Sequence, residues 1–187
     1  MLEGEIIVGC INNKPLAQKA LYARYAYKMM GVCLRYAQSR EEAEDILQDA
    51  FIKIFTRIKS YKGEGSFEGW IRRIVVTTAI DSYNQQKKAL NQTTYDDVPE
   101  AQEYGSQDII SQLSAEELMQ TMSRLPDGYR MVMNLYAIEG YSHKEIGDML
   151  HISEGTSKSQ LSKGRKMLES MLEKTNVIVK NAWQRPE

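Results

Sequence analysis

Cysteine and histidine are scarce, two of each in 187 residues. Cys10 and Cys33 lie far apart, and no His or Cys grouping has metal-ligand spacing, which argues against a zinc site and predicts no metal and no cofactor. Two scattered thiols suit reduced, buried side chains in a cytoplasmic protein better than a disulfide framework. There is no excess of one charge. The formal net charge is −1, so the chain is no polycation, and any contact with nucleic acid must come from local patches. No stretch approaches the roughly 18 apolar residues of a membrane span. The start, MLEGEIIVGCINNK, carries Glu3 and Glu5 and too short an apolar run for a signal peptide, so cytoplasmic residence without membrane insertion is expected. No internal repeat is visible. What remains is 42% hydrophobic and 26% charged, the balance of an ordinary globular chain with room for one domain or two small ones.

Wherever the chain is periodic the period is helical, which predicts an all-α fold. Residues 3 to 12 read as a short leading helix with Ile6, Ile7 and Ile11 on one side, broken by Asn12-Asn13-Lys14-Pro15. Leu16 to Gln38 reads as one long helix with Leu21, Tyr25, Val32 and Tyr36 near one face. Ser39 and Glu42 form a capping box for a helix from Glu41 to about Lys59, whose stripe is Ala43, Ile46, Leu47, Ala50, Phe51, Ile54 and Ile58. Asp45, Gln48 and Asp49 sit at i, i+3 and i+4 and share a different face. Paired carboxylates can do acid–base work, but no nucleophile, histidine or metal ligand is near in sequence, so a partner-docking face or plain solvated charge fits better.

Tyr61 to Trp70 then interrupts the pattern with three glycines and three interleaved aromatics. Aromatics on a loop beside Lys62, Arg72 and Arg73 can stack exposed bases, or Phe67 and Trp70 can be simple core anchors. Trp70 to Lys88 resumes as helix, with Ile71, Ile74, Val75, Ala79 and Ile80 inward. From Ala89 to Ser123 there are seven acids and no Lys or Arg. Its first part has no periodicity and reads as a flexible acidic linker. Ser114 and Glu117 suggest a third capping box, and Tyr129 to Glu139 a helix ended by Gly140.

The carboxyl-terminal part carries the sharpest pattern. Ser142 and Glu145 cap a helix whose buried face is Ile146, Met149 and Leu150. His151-Ile152-Ser153 is a short turn, and Ser153 caps a second helix from Glu154 onward. Between Glu154 and Leu168 one acid faces Lys158, Lys163, Arg165 and Lys166, with Leu161, Leu168 and Leu172 on the opposite side. Two short helices and a tight turn match a helix-turn-helix, whose second helix enters the major groove. The bland alternative for the charges alone is a solvated face.

Three stretches in order, AEDILQDAFIKIF, GSFEGWIRRIVVTTAIDSY and LPDGYRMVMNLYAIEGYSHKEIGDMLHISEGTSKSQLSKGRKML, resemble the extracytoplasmic function group of bacterial sigma factors, the small two-domain members of the sigma-70 family. The resemblance covers about residues 14 to 173. It implies a region 2 domain over 1–90, a linker over 91–111, a region 4 helix-turn-helix domain over 112–175 and a tail over 176–187. It implies that Asp45, Gln48 and Asp49 dock on the β′ clamp helices of RNA polymerase core, with the β subunit a further contact. It implies that Tyr61, Lys62, Ser66, Phe67, Trp70, Arg72, Arg73 and Thr77 hold single-stranded DNA of the minus-ten element. Ser153, Glu154, Thr156, Lys158, Ser159, Gln160, Ser162, Lys163 and Arg165 then meet the duplex minus-thirty-five element, Gln160 being long enough for base edges. The linker is implied to thread toward the polymerase active site, and an anti-sigma protein to cover these surfaces. Thr77 stands where the family often has Asn, Ser157 where Val is usual and Gly164 where Ala is usual. The function implied is promoter recognition and opening, with no enzyme activity. A stand-alone helix-turn-helix regulator binding duplex DNA is the alternative, and an enzyme using the amino-terminal carboxylates is a third class lacking a coherent catalytic set.

Overall fold

The computed structural model describes the backbone of residues 1–91 and 115–183 and the side chains of 1–89 and 118–173. The expected linker beyond Asn91, the Ser114–Glu117 capping box and the side chains of the 176–187 tail lie outside the described residues. Every described element is helical, and the chain divides into two compact units, Met1–Thr94 and Tyr95–Glu187.

The first unit contains α1 (Glu3–Ile11), α2 (Pro15–Tyr36), α3 (Arg40–Arg57) and α4 (Phe67–Asn91). Pro15 opens α2, where its missing N–H costs nothing. Ser39 caps α3 by accepting from the Glu42 amide at 3.2 Å, while the Glu42 carboxylate accepts from the Gln38 amide at 2.7 Å, one residue before the usual box partner. The last turn tightens to a 3-10 turn over Ile58–Ser60. Helices α2, α3 and α4 pack on one another around Leu21, Met29, Ile54, Phe67, Ile71 and Val75, all at most 1% exposed. The expected stripe of α3 is buried in full, from Ala43 to Ile58. Helix α1 lies against α2 so closely that a Cβ on Gly9 would come within 2.4 Å of the Ala17 Cβ. Cys10 and Cys33 are unbonded and buried, and burial pushes the Cys33 thiol up to about 12, which keeps it protonated and inert.

The second unit contains α5 (Ala115–Met122), α6 (Asp127–Met133), α7 (His143–Leu150) and α8 (Glu154–Trp183). The helix expected over Tyr129–Glu139 is not uniform: α6 widens into a π turn over Asn134–Ile138, closed by the Glu139 amide on Asn134 and the Tyr141 amide on Leu135, with Gly140 at φ 78°. Helix α8 runs on past Leu172 to Trp183 and is the spine on which α5, α6 and α7 pack. Arg130, 4% exposed, binds Asp127 at 2.8 Å and the Ser123 carbonyl at 3.3 Å, which ties the α5–α6 corner shut.

Candidate nucleic-acid and partner interfaces

Asp45, Gln48 and Asp49 all project from the exposed side of α3, opposite Ala43, Ile46 and Ala50. Among the described residues the two aspartates form no ion pair, so the face keeps its full acceptor capacity. Beside it opens a cleft of about 580 Å³ lined by Tyr22, Met30, Leu47, Gln48, Phe51 and Phe55. Two carboxylates and an amide next to an apolar trough suit a basic partner element that also carries hydrophobic side chains.

The aromatic loop between α3 and α4 is built on two glycines in the left-handed region, Gly63 at φ 78° and Gly65 at φ 75°. Tyr61 folds back and donates its hydroxyl to the Gly65 carbonyl at 3.0 Å. Ser66 caps α4 by accepting from the Gly69 amide at 3.1 Å. Tyr61, Phe67 and Trp70 form one cluster, with centroids 4.9 to 5.7 Å apart and the Phe67 and Trp70 rings within 11° of parallel. Tyr61 and Trp70 are half-buried, leaving part of each ring open. Phe67 is a correction to the expected set: at 1% exposure it is the floor beneath the other two rings and has no face left for a base. Lys62, Ser66, Arg73 and Thr77 are exposed, and Arg72 is half-buried. Thr77 donates its hydroxyl to the Arg73 carbonyl at 2.8 Å, so its own helix already takes the donor.

The helix-turn-helix forms as expected. Ser142 accepts from the Glu145 amide at 3.3 Å, and Glu145 returns a carboxylate oxygen to the Ser142 amide at 2.8 Å. His151 takes the left-handed conformation at φ 55° and ends α7. The chain then turns so tightly that a Cβ on Gly147 would sit 2.8 Å from the Ile152 carbonyl oxygen. Ser153 caps α8 by accepting from the Thr156 amide at 2.9 Å. Glu154, Lys158, Ser159 and Arg165 are exposed on the outer side of α8, with Ser162 and Lys163 half-buried. Lys158 is engaged by Glu154 at 2.7 Å, and that hydrogen bond and charge hold the Glu154 carboxyl below its ordinary range. Gln160 is half-buried with its amide against Gly128, turned toward α6 rather than outward as a base reader requires.

A linked row of side chains joins the π turn to both helices, and sequence reasoning missed it. The Arg165 guanidinium lies 6.0 Å from the Tyr136 centroid, and Tyr136 stacks on His143 at 4.6 Å. His143 Nδ1 lies 3.0 Å from the Ser157 hydroxyl, and Ser157 is wholly buried. Ser157 therefore places a satisfied hydroxyl at an inward position. Gly164 admits an equally close approach, since a Cβ there would lie 2.9 Å from Met133 Sδ and 3.1 Å from the Tyr129 Cβ.

Comparison with known proteins adds to this geometry. The profile for sigma-70 region 2 matches residues 21–89, and that for sigma-70 region 4 matches residues 115–168. The chain belongs to the sigma-70 family. Its relatives place it in the extracytoplasmic function group of sigma factors. It is 31% identical over 159 residues to the ECF RNA polymerase sigma factor SigE of Mycolicibacterium smegmatis, covering 82% of this chain and 61% of that one. It is 28% identical over 164 residues to the ECF RNA polymerase sigma-E factor of Escherichia coli, covering 82% of this chain and 85% of that one. The chain thus spans less than two thirds of the mycobacterial relative. A solved structure of the sigma factor RpoE with the anti-sigma factor NepR from Bartonella quintana aligns at a TM-score of 0.49 and 18% identity, over 83% of this chain and 96% of that one.

In this sigma factor the region 2 match takes in most of α2, all of α3, the aromatic loop and most of α4. The region 4 match takes in α5, α6, α7 and the first half of α8. Helix α1 lies wholly ahead of both. No described helix is long and apolar enough to cross a membrane.

Proposed function

We propose that this sigma factor is the dissociable subunit that brings RNA polymerase core to promoters and helps open them. The observation that carries the reading is the α3 face: exposed Asp45, Gln48 and Asp49, beside an apolar cleft and in the same compact unit as the aromatic loop. A regulator that only binds duplex DNA needs neither feature. In this reading the α3 face grips the β′ clamp helices, and the β subunit contributes a further contact. Tyr61 and Trp70 offer their open ring faces to an unpaired minus-ten base, and Lys62 and Arg73 meet the strand's phosphates. Holding a base out of the stack costs a few kcal/mol, which stacking at roughly 1–3 kcal/mol per base can offset. Helix α8 presents Lys158, Ser159, Ser162 and Arg165 to the minus-thirty-five duplex, Lys158 exchanging Glu154 for a phosphate.

The chain does no bond chemistry in this account; the polymerase does. It works in the cytoplasm, with region 2 over 1–90, region 4 over 112–175 and a linker between them. An anti-sigma protein that covers the α3 face and α8 is the regulator this division of surfaces implies. Reversing charge at Asp45 and Asp49 to Lys tests the docking face. Association with core should fall at least tenfold, while binding to minus-thirty-five duplex stays at the wild-type level. Unchanged core association removes the face from the interface.

A further inference from the structure

The aromatic loop is not self-supporting. Phe67, its floor, is met edge-on by Tyr25 of α2, with ring centroids 5.9 Å apart and planes at 79°. Tyr25 is 4% exposed, and its hydroxyl donates to Glu3 Oε2 at 2.5 Å. Glu3 stands in the first turn of α1, 22 residues earlier. A run of contacts therefore leads from an exposed carboxylate, through a buried phenol and a buried ring, to the two rings that face outward. Burial first, and then the bond to Glu3, push the Tyr25 hydroxyl up to about 12, so it remains a donor at every physiological pH. A second contact runs alongside, because α1 also packs on the 3-10 turn Ile58–Ser60 that leads into the loop. The arm is firmly seated, with Gly9 pressed on Ala17 and Ile6 and Cys10 each 2% exposed.

We propose that α1 is a positioning arm for the aromatic loop: Glu3, acting through Tyr25 and Phe67, fixes the tilt at which Tyr61 and Trp70 present their faces to an unpaired base. The physical reason is the geometry of edge-to-face rings. An anchored hydroxyl fixes where the axis of the Tyr25 ring points, and close packing around the buried ring restrains its rotation about that axis, so its edge stays set against Phe67. Loosening that anchor leaves a buried donor seeking another acceptor and lets the ring tilt. Glu3 lies ahead of the stretch that matches the region 2 profile, whereas Tyr25 and Phe67 lie within it. The proposal rests on the reading of Tyr61 and Trp70 as the minus-ten capture surface.

The test uses full-length chain carrying Trp183→Phe, so that Trp70 is its only tryptophan. Glu3→Ala, Tyr25→Phe and the double variant are compared by near-ultraviolet circular dichroism of the free chain. They are also compared with core polymerase on a promoter carrying 2-aminopurine in the minus-ten non-template strand. Each single variant should change the Trp70 band and slow opening roughly three- to tenfold. The double variant should be no slower than Tyr25→Phe, core association should be unchanged, and Glu3→Asp should restore part of the loss. An unchanged Trp70 band overturns the coupling. An altered band with wild-type opening makes the contact structural only and overturns the positioning role. If the wild-type complex opens no promoter, the capture reading fails with it, whatever Trp70 reports.

Discussion

Gly147→Ala puts the helix-turn-helix under direct strain. The glycine is buried in α7, and the Cβ it lacks would lie 2.8 Å from the Ile152 carbonyl oxygen and 3.6 Å from the Glu154 nitrogen. An ordinary contact begins near 3.4 Å, so the turn would have to yield by about 0.6 Å. It has little freedom to do so. The Ile152 amide is bonded to the Gly147 carbonyl at 3.0 Å, and His151 is held in the left-handed conformation. Alanine favours the helix by about 1 kcal/mol. Overpacking against fixed backbone costs about 1–3 kcal/mol, toward the upper end where nothing flexible can move. The net expectation is a loss of about 1–2 kcal/mol. Gly155→Ala is the matched control, because its Cβ would meet only Ser153 Oγ at 3.7 Å. Hydrogen exchange on the full chain reads both. Amides of α7 and the first turns of α8 should exchange roughly 5–30-fold faster in Gly147→Ala and no faster than wild type in Gly155→Ala. Wild-type protection in Gly147→Ala would show that the turn relaxes around the added methyl and is not held rigid.

Glu154→Gln releases Lys158 from its 2.7 Å ion pair, so duplex binding at low salt should tighten, whereas Lys158→Ala should reduce the slope of log affinity against log salt by about 0.9. Fluorescence anisotropy across a salt series measures both, and equal slopes for wild type and Lys158→Ala would take the lysine off the phosphate backbone. The raised Tyr25 value carries a pH signature. The phenol stabilises the folded state fully below its ordinary value of 10, and that contribution is lost as pH rises toward about 12. Wild type should therefore exceed Tyr25→Phe in urea resistance near neutral pH, and the gap should narrow by about 2 kcal/mol between those limits. A gap independent of pH would mean that the hydroxyl adds nothing through its proton.

Much of the fold was legible because its signals are local. The Ser39 and Ser142 caps, the α3 stripe and the Leu161, Leu168 and Leu172 side of α8 depend on residues within a few turns of one another. The polar face of α3 follows from spacing alone. What could not be read depends on contacts across helices. From the residues alone Phe67 reads more readily as a core anchor than as a platform, the resemblance puts it among the base-holding residues, and its place beneath Tyr61 and Trp70 makes it the floor. Gly164 stood out only as a place where the family usually has Ala, and Met133 and Tyr129 occupy the space a Cβ would take. Ser157 looked like a polar residue facing inward, and its partner His143 lies 14 positions away. Gln160 had the length for a base edge, but Gly128 leaves a hollow that draws it aside. The π turn escaped because its residues, NLYAI, carry no breaker until Gly140.

The most direct measurement pairs the purified chain with core polymerase and maps 5′ ends of transcripts made from a library of promoter sequences. A promoter-directing subunit gives initiation at discrete starts, each preceded by one shared pair of upstream elements and abolished by reversing charge at Asp45 and Asp49. Transcripts whose ends are the same with and without the chain would contradict that role.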